Sequence, residues 1–392
     1  MLDRRSLLTT AAAGSALAAC NRTPGAAGSG DETAKLNTAM TAIFQEVIAR
    51  SPETATSLGL DKGEGAAAKS KLDDRSLAAV AADKRRAVDQ LARLRTVRRD
   101  GLTGLARVNY DVVEYGLRTQ VEADRRFNYA STGSGAPYVL SQLTGAYQSV
   151  PDFLDNQHAI ETAADADAYL ARLDTFGAAL DQETERARHD AGLGVVPPDF
   201  VIDKALVQMR GLRGQSPENS VLVQSVVRRT GEKSLSGDWG ARAASVYTGK
   251  IAPALDRQIA LLEEWRRGAV HDAGVWRLPE GEAYYAASLA QSTTTTMSPA
   301  EVHRIGLEQV RILSEEIGRT TAALGMTTGT PGERMRAMAR DAQYLYANTD
   351  AAKEQLIADL NGQVRAIQAR LPEFFSTLPR SPVDIRRVPK YI

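Results

Sequence analysis

Apolar positions recur at three- and four-residue steps along nearly the whole chain after residue 34, a spacing that predicts helix after helix. Leu36, Met40, Ile43, Phe44 and Val47 form one stripe. Leu77, Val80, Lys84, Val88, Leu91 and Leu94 nearly form a second, with Lys84 snorkelling from its edge. Leu105, Val108, Val112, Tyr115 and Val121 continue the theme. Further helices are predicted over about Ala164–Asp190, Trp239–Arg267, Pro299–Leu324, Gly332–Ala347 and Ala351–Arg370. The punctuation agrees. Ser298-Pro299-Ala300-Glu301 is a capping box with proline at the first helical position, and Thr330-Pro331-Gly332-Glu333 repeats it. Ser51-Pro52-Glu53 and Ser216-Pro217-Glu218 start helices in a similar way, while Gly192, Gly268 and Gly325 fall where helices should stop. Loops are predicted over 130–137, 192–198 and 271–281. Val383 to Val388 alternates enough for one short strand. The fold class that follows is all-α: a multi-helix array with long antiparallel helices and at most one short strand near the C-terminus.

The first twenty residues break this pattern. Arg4 and Arg5 supply a basic start, Thr9 to Ala19 is a short apolar stretch of small residues, and Leu17-Ala18-Ala19-Cys20 reads as a lipobox. The apolar run is too short for a helix that must cross a hydrocarbon layer of ~30 Å. Residues 1–20 are therefore read as a lipoprotein signal peptide, with Cys20 as the lipidation site. Arg4 and Arg5 fit the export signal of the twin-arginine route, and equally an ordinary positive start. The Gly/Ala/Ser/Pro-rich stretch 21–34 is predicted to be a flexible tether, and 35–392 the helical region. The protein is expected to be exported and held by an N-terminal lipid at the periplasmic face of a bacterial membrane. Asn21, standing where an aspartate would signal inner-membrane retention, favours the outer membrane.

Cys20 is the chain's single cysteine, so the fold is expected to stand without disulfides. With 392 residues, 43% of them hydrophobic, it can bury a large core. Lysine plus arginine number 48, as do aspartate plus glutamate, a balance that argues against nucleic acid as a partner.

Candidate chemistry is sparse. The four histidines, His158, His189, His271 and His303, include no His-Glu-x-x-His pair. Glu185 and His189 share a helical face, yet two ligands do not make a metal site, and the surrounding E-T-E-R-A-R-H-D reads as a solvated face. His271-Asp272 offers a loop pair in which the carboxylate could orient the imidazole. There is no Gly-x-Ser-x-Gly elbow and no phosphate-binding glycine-lysine loop. Thr293, Thr294, Thr295 and Thr296, following Ser292, could line a polar cleft, or could satisfy free backbone groups at a helix end. Tyr284 and Tyr285 could add phenols to the same cleft and hold an oxyanion, or divide between core and rim.

Several segments together carry a resemblance. Asp272-Ala-Gly-Val-Trp-Arg-Leu-Pro-Glu-Gly-Glu-Ala-Tyr-Tyr285, then Thr293 to Thr296, then Met297-Ser-Pro-Ala-Glu-Val-His-Arg-Ile-Gly-Leu307 resemble the bacterial domain-of-unknown-function 885 family. Ser51 to Leu60, Pro151 to His158, Ala168 to Leu173 and Ile385 to Pro389 agree with it. Members are largely helical and resemble zinc oligopeptidases and carboxypeptidases. They usually carry a His-Glu-x-x-Pro-Gly-His-His segment whose residues would bind the metal while the glutamate activates water. This sequence lacks that segment. The resemblance implies that 35–392 is the N-terminal portion of a longer protein, with a natural short form that has lost catalysis as the less favoured alternative. It also implies that Tyr284, Tyr285, Thr293, Thr294, Thr295, Thr296 and His303 border a substrate groove. On this expectation the chain itself holds no cofactor and is inactive alone. Zinc and a peptide or small amide substrate belong to the complete protein. The rival expectation is a non-catalytic helical lipoprotein that binds a ligand or partner.

Overall fold

A computed structural model describes residues 29–129 and 137–381 together with 383, 385 and 387. Among them are fourteen α-helices and no strand, so the fold is all-α. Val383, Ile385 and Arg387 adopt no regular structure, and the rest of the anticipated strand lies outside the described residues. The backbone of Ile385 is engaged otherwise: its N–H donates to Asn361 Oδ1 at 2.8 Å and its carbonyl accepts from Asn361 Nδ2 at 3.2 Å. A side-chain amide takes the two groups that a ladder would have used. The segments assigned to export and lipidation, with Arg4, Arg5 and Cys20, also lie outside the described residues.

The described residues divide into two compact units, one ending at Met297 and the other beginning at Ser298. The first opens with α1 (Ser29–Arg50) and α2 (Pro52–Ser57). Residues 29–34, assigned above to the tether, are thus helical. Glu32 explains why. Its carboxylate accepts the backbone N–H of Arg98 at 2.7 Å, Lys35 Nζ at 3.0 Å and Arg98 Nε at 3.1 Å. Those bonds hold its pKa down to about 2, the Arg98 N–H contributing most. A contact 66 residues away pins a stretch whose composition alone reads as loose.

A 3₁₀ segment (Gly63–Ser70) leads to α3 (Leu77–Leu94) and α4 (Gly104–Arg126). Leu36, Leu94, Val97, Leu102 and Tyr110 make a small core joining α1, α3 and α4. The predicted face of α4 is corrected here. Leu105, Val108 and Val112 are 74%, 54% and 65% exposed, while Tyr110 and Val121 are buried and Val113 and Leu117 pack beside them. The helix carries two apolar stripes, and the one with Tyr110 found the partner.

The main core surrounds α6 (Ala163–Gly192), which begins at a Thr162–Asp165 capping box. Around it pack α5 (Ala146–Asn156), α8 (Val221–Glu232), α9 (Trp239–Val246) and α10 (Ala252–Arg266), and α7 (Asp199–Arg213) packs on α10. Tyr169, Leu173, Phe176 and Leu180 on α6 meet Leu206, Met209, Ile251 and Leu255 in one cluster. The stretch predicted as one helix over Trp239–Arg267 is interrupted by a π turn at Tyr247–Ile251. Gly177 faces that turn, and a Cβ there would lie 2.8 Å from the Lys250 carbonyl oxygen, so only glycine permits the approach. The first unit closes with α11 (Gly281–Thr293).

The second unit holds α12 (Pro299–Ala323), α13 (Pro331–Met338) and α14 (Asp350–Arg370). Both predicted capping boxes form, at Ser298–Glu301 and at Thr330–Glu333. The helix anticipated over Gly332–Ala347 stops at Met338, because the Asp341 carboxylate accepts the Gln343 N–H at 3.0 Å and starts a 3₁₀ turn. No described helix is long and apolar enough to cross a membrane.

Candidate functional site

The tyrosines and threonines singled out in the sequence belong to α11 and the residues just after it in the first unit; His303 is on α12 of the second unit and is exposed. Two backbone features define α11. Its N-cap Glu280 and its C-cap Thr294 both adopt left-handed conformations, with φ of 52° and 54°. Only Ser234 shares a positive φ among the described residues other than glycine. A β-branched residue is an outlier there, costing about 1–2 kcal/mol. Gly281 sits against the Val275 carbonyl and Trp276, where a Cβ has no room. Backbone geometry therefore fixes both ends of this helix.

Side chains then clamp α11 onto α4. The Tyr115 hydroxyl donates to the Ala290 carbonyl at 2.6 Å, and Arg126 Nε pairs with Glu280 Oε2 at 2.7 Å. The Tyr129 hydroxyl donates to the Pro279 carbonyl at 2.8 Å. Tyr284 is buried among Ala123 and Phe127, edge-on to Phe127 at 5.4 Å between ring centroids and stacked on Tyr129 at 5.8 Å. Burial pushes the Tyr129 hydroxyl up to about 12, so it stays a proton donor.

The tyrosine pair divides between core and rim: Tyr284 is enclosed and Tyr285 is half exposed. The threonines end the helix. Thr293 Oγ1 donates to the Leu289 carbonyl at 2.8 Å and lies 2.9 Å from Thr295 Oγ1, while Thr294 and Thr296 face outward. Tyr285, Thr294 and Thr296 could hydrogen-bond a ligand. Phe127 and Tyr129 are the residues here that sequence reasoning missed, and Tyr115, read there as part of an apolar stripe, uses its hydroxyl instead. Phe127 and Tyr129 lie about 150 positions from α11, and nothing in periodicity pairs them.

The strain at Thr294 carries a prediction. Thr294→Gly should raise stability by about 1 kcal/mol in urea unfolding, since glycine accepts the left-handed cap freely. A loss of stability would show that the threonine side chain repays the strain through its neighbours.

The remaining histidines are tied to protein partners. His189 Nδ1 lies 3.0 Å from Asp190 Oδ1, and Glu185 points outward. His271 Nδ1 pairs with Asp199 Oδ1 at 2.8 Å rather than with the adjacent Asp272, because the start of α7 comes alongside the loop, its Asp199 N–H donating to the Val270 carbonyl at 2.9 Å. Among the described residues no group of three or more His, Cys, Asp or Glu is placed to hold a metal ion.

A model of the family described as bacterial protein of unknown function, DUF885, matches residues 52–392. The chain belongs to the DUF885 family. No curated protein matches. Among solved structures, the fold is similar to that of "the putative lipoprotein from Colwellia psychrerythraea", with a TM-score of 0.84 and 23% identity. The likeness covers 92% of this chain and 63% of that one, so this DUF885 chain spans less than two thirds of its relative's length.

Proposed function

We propose that this DUF885 chain is the helical N-terminal part of an exported, lipid-anchored, metal-dependent peptidase-like protein, whose metal-binding residues lie in further polypeptide after residue 392. The observation that carries this reading is the state of the second unit. Among its described residues only Thr321 is buried. Leu307, Val310 and Leu313 on α12, and Phe374 and Phe375 after α14, are all more than half exposed. Helices with apolar stripes and no core of their own are incomplete as a unit, and exposed apolar surface on this scale marks an absent partner. The longer chain of the solved relative makes additional polypeptide the economical cover. In that complete protein Tyr285, Thr294 and Thr296 would border the substrate groove, and zinc would supply the activated water for short peptides or related amides.

The test compares two products of the gene. An open reading frame past codon 392 should encode a His-Glu metal motif, and the long product should show zinc-dependent peptidase activity that the 392-residue product lacks. Equal activity in both, or a long product without such a motif, overturns the reading. The anchor has its own readout: Cys20→Ala should move the protein from the membrane fraction to the soluble one, because an acyl chain contributes ~0.8 kcal/mol per buried CH₂.

A further inference from the structure

The N-terminal half of α3 presents an apolar stripe that no core absorbs. Leu77 and Val80 are only partly buried, and together with Ala87 they line a groove of about 430 Å³. The last turns of α4 and α6 form its other walls. That volume lies within the range of small-molecule sites. Three charged side chains line it in an unusual state. Lys84, Arg186 and Asp124 are each half buried, and none makes a hydrogen bond or ion pair with a described residue. Other charges of the groove are satisfied internally: Asp83 pairs with Arg50 at 2.9 Å and with Arg86, and Asp190 is bonded to His189. Lys84 and Arg186 are both near enough to Asp190 to oppose the upward push that burial gives its carboxyl. Two carboxylates, Asp190 and Asp124, therefore share the groove with two cations that make no ion pair, all beside an apolar floor.

Half-buried cations without partners forfeit water without regaining a bond, which is costly in a fold and useful in a binding site. We propose that the groove between α3, α4 and α6 binds a small organic carboxylate with an apolar stem, Lys84 and Arg186 holding the carboxylate and Leu77, Val80 and Ala87 receiving the stem. Two sources share that chemistry. One is a free amino acid or short peptide, whose ammonium group would meet Asp124. The other is a simple aliphatic acid, which would leave Asp124 idle. The site stands independently of the peptidase reading, since it needs neither zinc nor residues after 392.

Isothermal titration of the purified protein with leucyl-leucine, hexanoate and hexanamide tests the proposal. Binding is expected from at least one carboxylate and not from the amide. Lys84→Met and Arg186→Met should each weaken that binding about tenfold or more, the cost of one charge-assisted contact. Both side chains are unpaired, so neither change should disturb folding, and thermal melts will verify it. Ala81→Trp should block the groove without altering its charge. Asp124→Asn should weaken the dipeptide alone if the natural ligand is a zwitterion, and change neither if it is a simple acid. Binding of the amide as tight as the acid, binding unaltered in the Lys84, Arg186 and Ala81 variants, or no heat from either carboxylate at millimolar concentration would overturn it.

Discussion

Arg172→Met should cost the first unit about 3–5 kcal/mol, the largest single-residue loss expected in this protein. Arg172 is fully buried at the middle of α6. Its Nε donates to the Lys71 carbonyl at 2.9 Å, Nη2 donates to Thr56 Oγ1 at 2.5 Å and the Ala68 carbonyl at 3.0 Å, and Nη1 donates to His158 Nδ1 at 2.7 Å. The guanidinium carbon lies 4.7 Å from the Phe153 ring centroid. One side chain thus ties α2, the 3₁₀ segment and the loop before α3 to the main core. No carboxylate of a described residue pairs with it directly, and burial lowers its pKa to about 10 despite the pull of Asp61, Glu53 and Asp73. Methionine would fill part of the volume and take the donor from the Lys71 carbonyl, the Thr56 hydroxyl oxygen and the His158 ring nitrogen, each loss costing about 1–3 kcal/mol when buried, while the Ala68 carbonyl keeps the Lys71 N–H. Urea unfolding should show a lower midpoint at unchanged slope. Arg172→Lys should fall between, because an ammonium keeps the charge and loses the fork. A methionine variant within 1 kcal/mol of the parent would mean that the 3₁₀ segment is held by other contacts.

How much of this was legible in the sequence depends on what set each feature. Helices set by local periodicity and caps came through: α6, α12 and α14 lie where the spacing put them, and the Ser298 and Thr330 boxes formed as written. Features set by distant partners did not. The chain shows Leu105, Val108 and Val112 as plainly as Tyr110, Val113 and Leu117, and only packing decided which face of α4 was covered. The α3 stripe was read as one face, yet Leu91 and Leu94 entered cores while Leu77 and Val80 became groove wall. Lys84, explained as a snorkelling edge residue, was the local sign that this stripe was not all core. At α11 the tyrosine and threonine positions were found, but the two left-handed caps were not, since Glu280 and Thr294 are not the residue types that announce such backbone. Arg172 lay inside a quoted motif without a role, because its four partners come from three separate segments.

Acid should unfold the first unit earlier than its carboxylates alone require, and His158 is the reason. The ring is fully buried, with Nε2 donating to the Asp165 carbonyl at 2.9 Å and Nδ1 accepting from Arg172 at 2.7 Å. Those two bonds require the neutral tautomer. A second ring proton would point at the Arg172 guanidinium, with Lys69 and Arg229 also nearby. Burial above all, then these cations, lowers the pKa to about 3, while the bond to Asp165 pulls the other way. Between that value and about 6.5 the unfolded chain binds a proton that the native chain refuses, so stability falls as pH falls through this window. The loss from this one group is about 3 kcal/mol by pH 4. Below that, the lowered carboxyls of Asp165 and Glu32, both at about 2, add their own losses as they protonate. Asp73, Glu183 and Asp190 are raised by burial, and their protonation stabilises the native state over the same descent, offsetting part of the fall. His158→Gln separates the contributions. Its amide can donate to the Asp165 carbonyl and accept from Arg172 but cannot titrate, so the variant should start lower at pH 7.5 and lose less on descent to pH 4. Parallel curves for the two proteins, measured by urea unfolding across that range, would show that His158 is not the group through which acid acts.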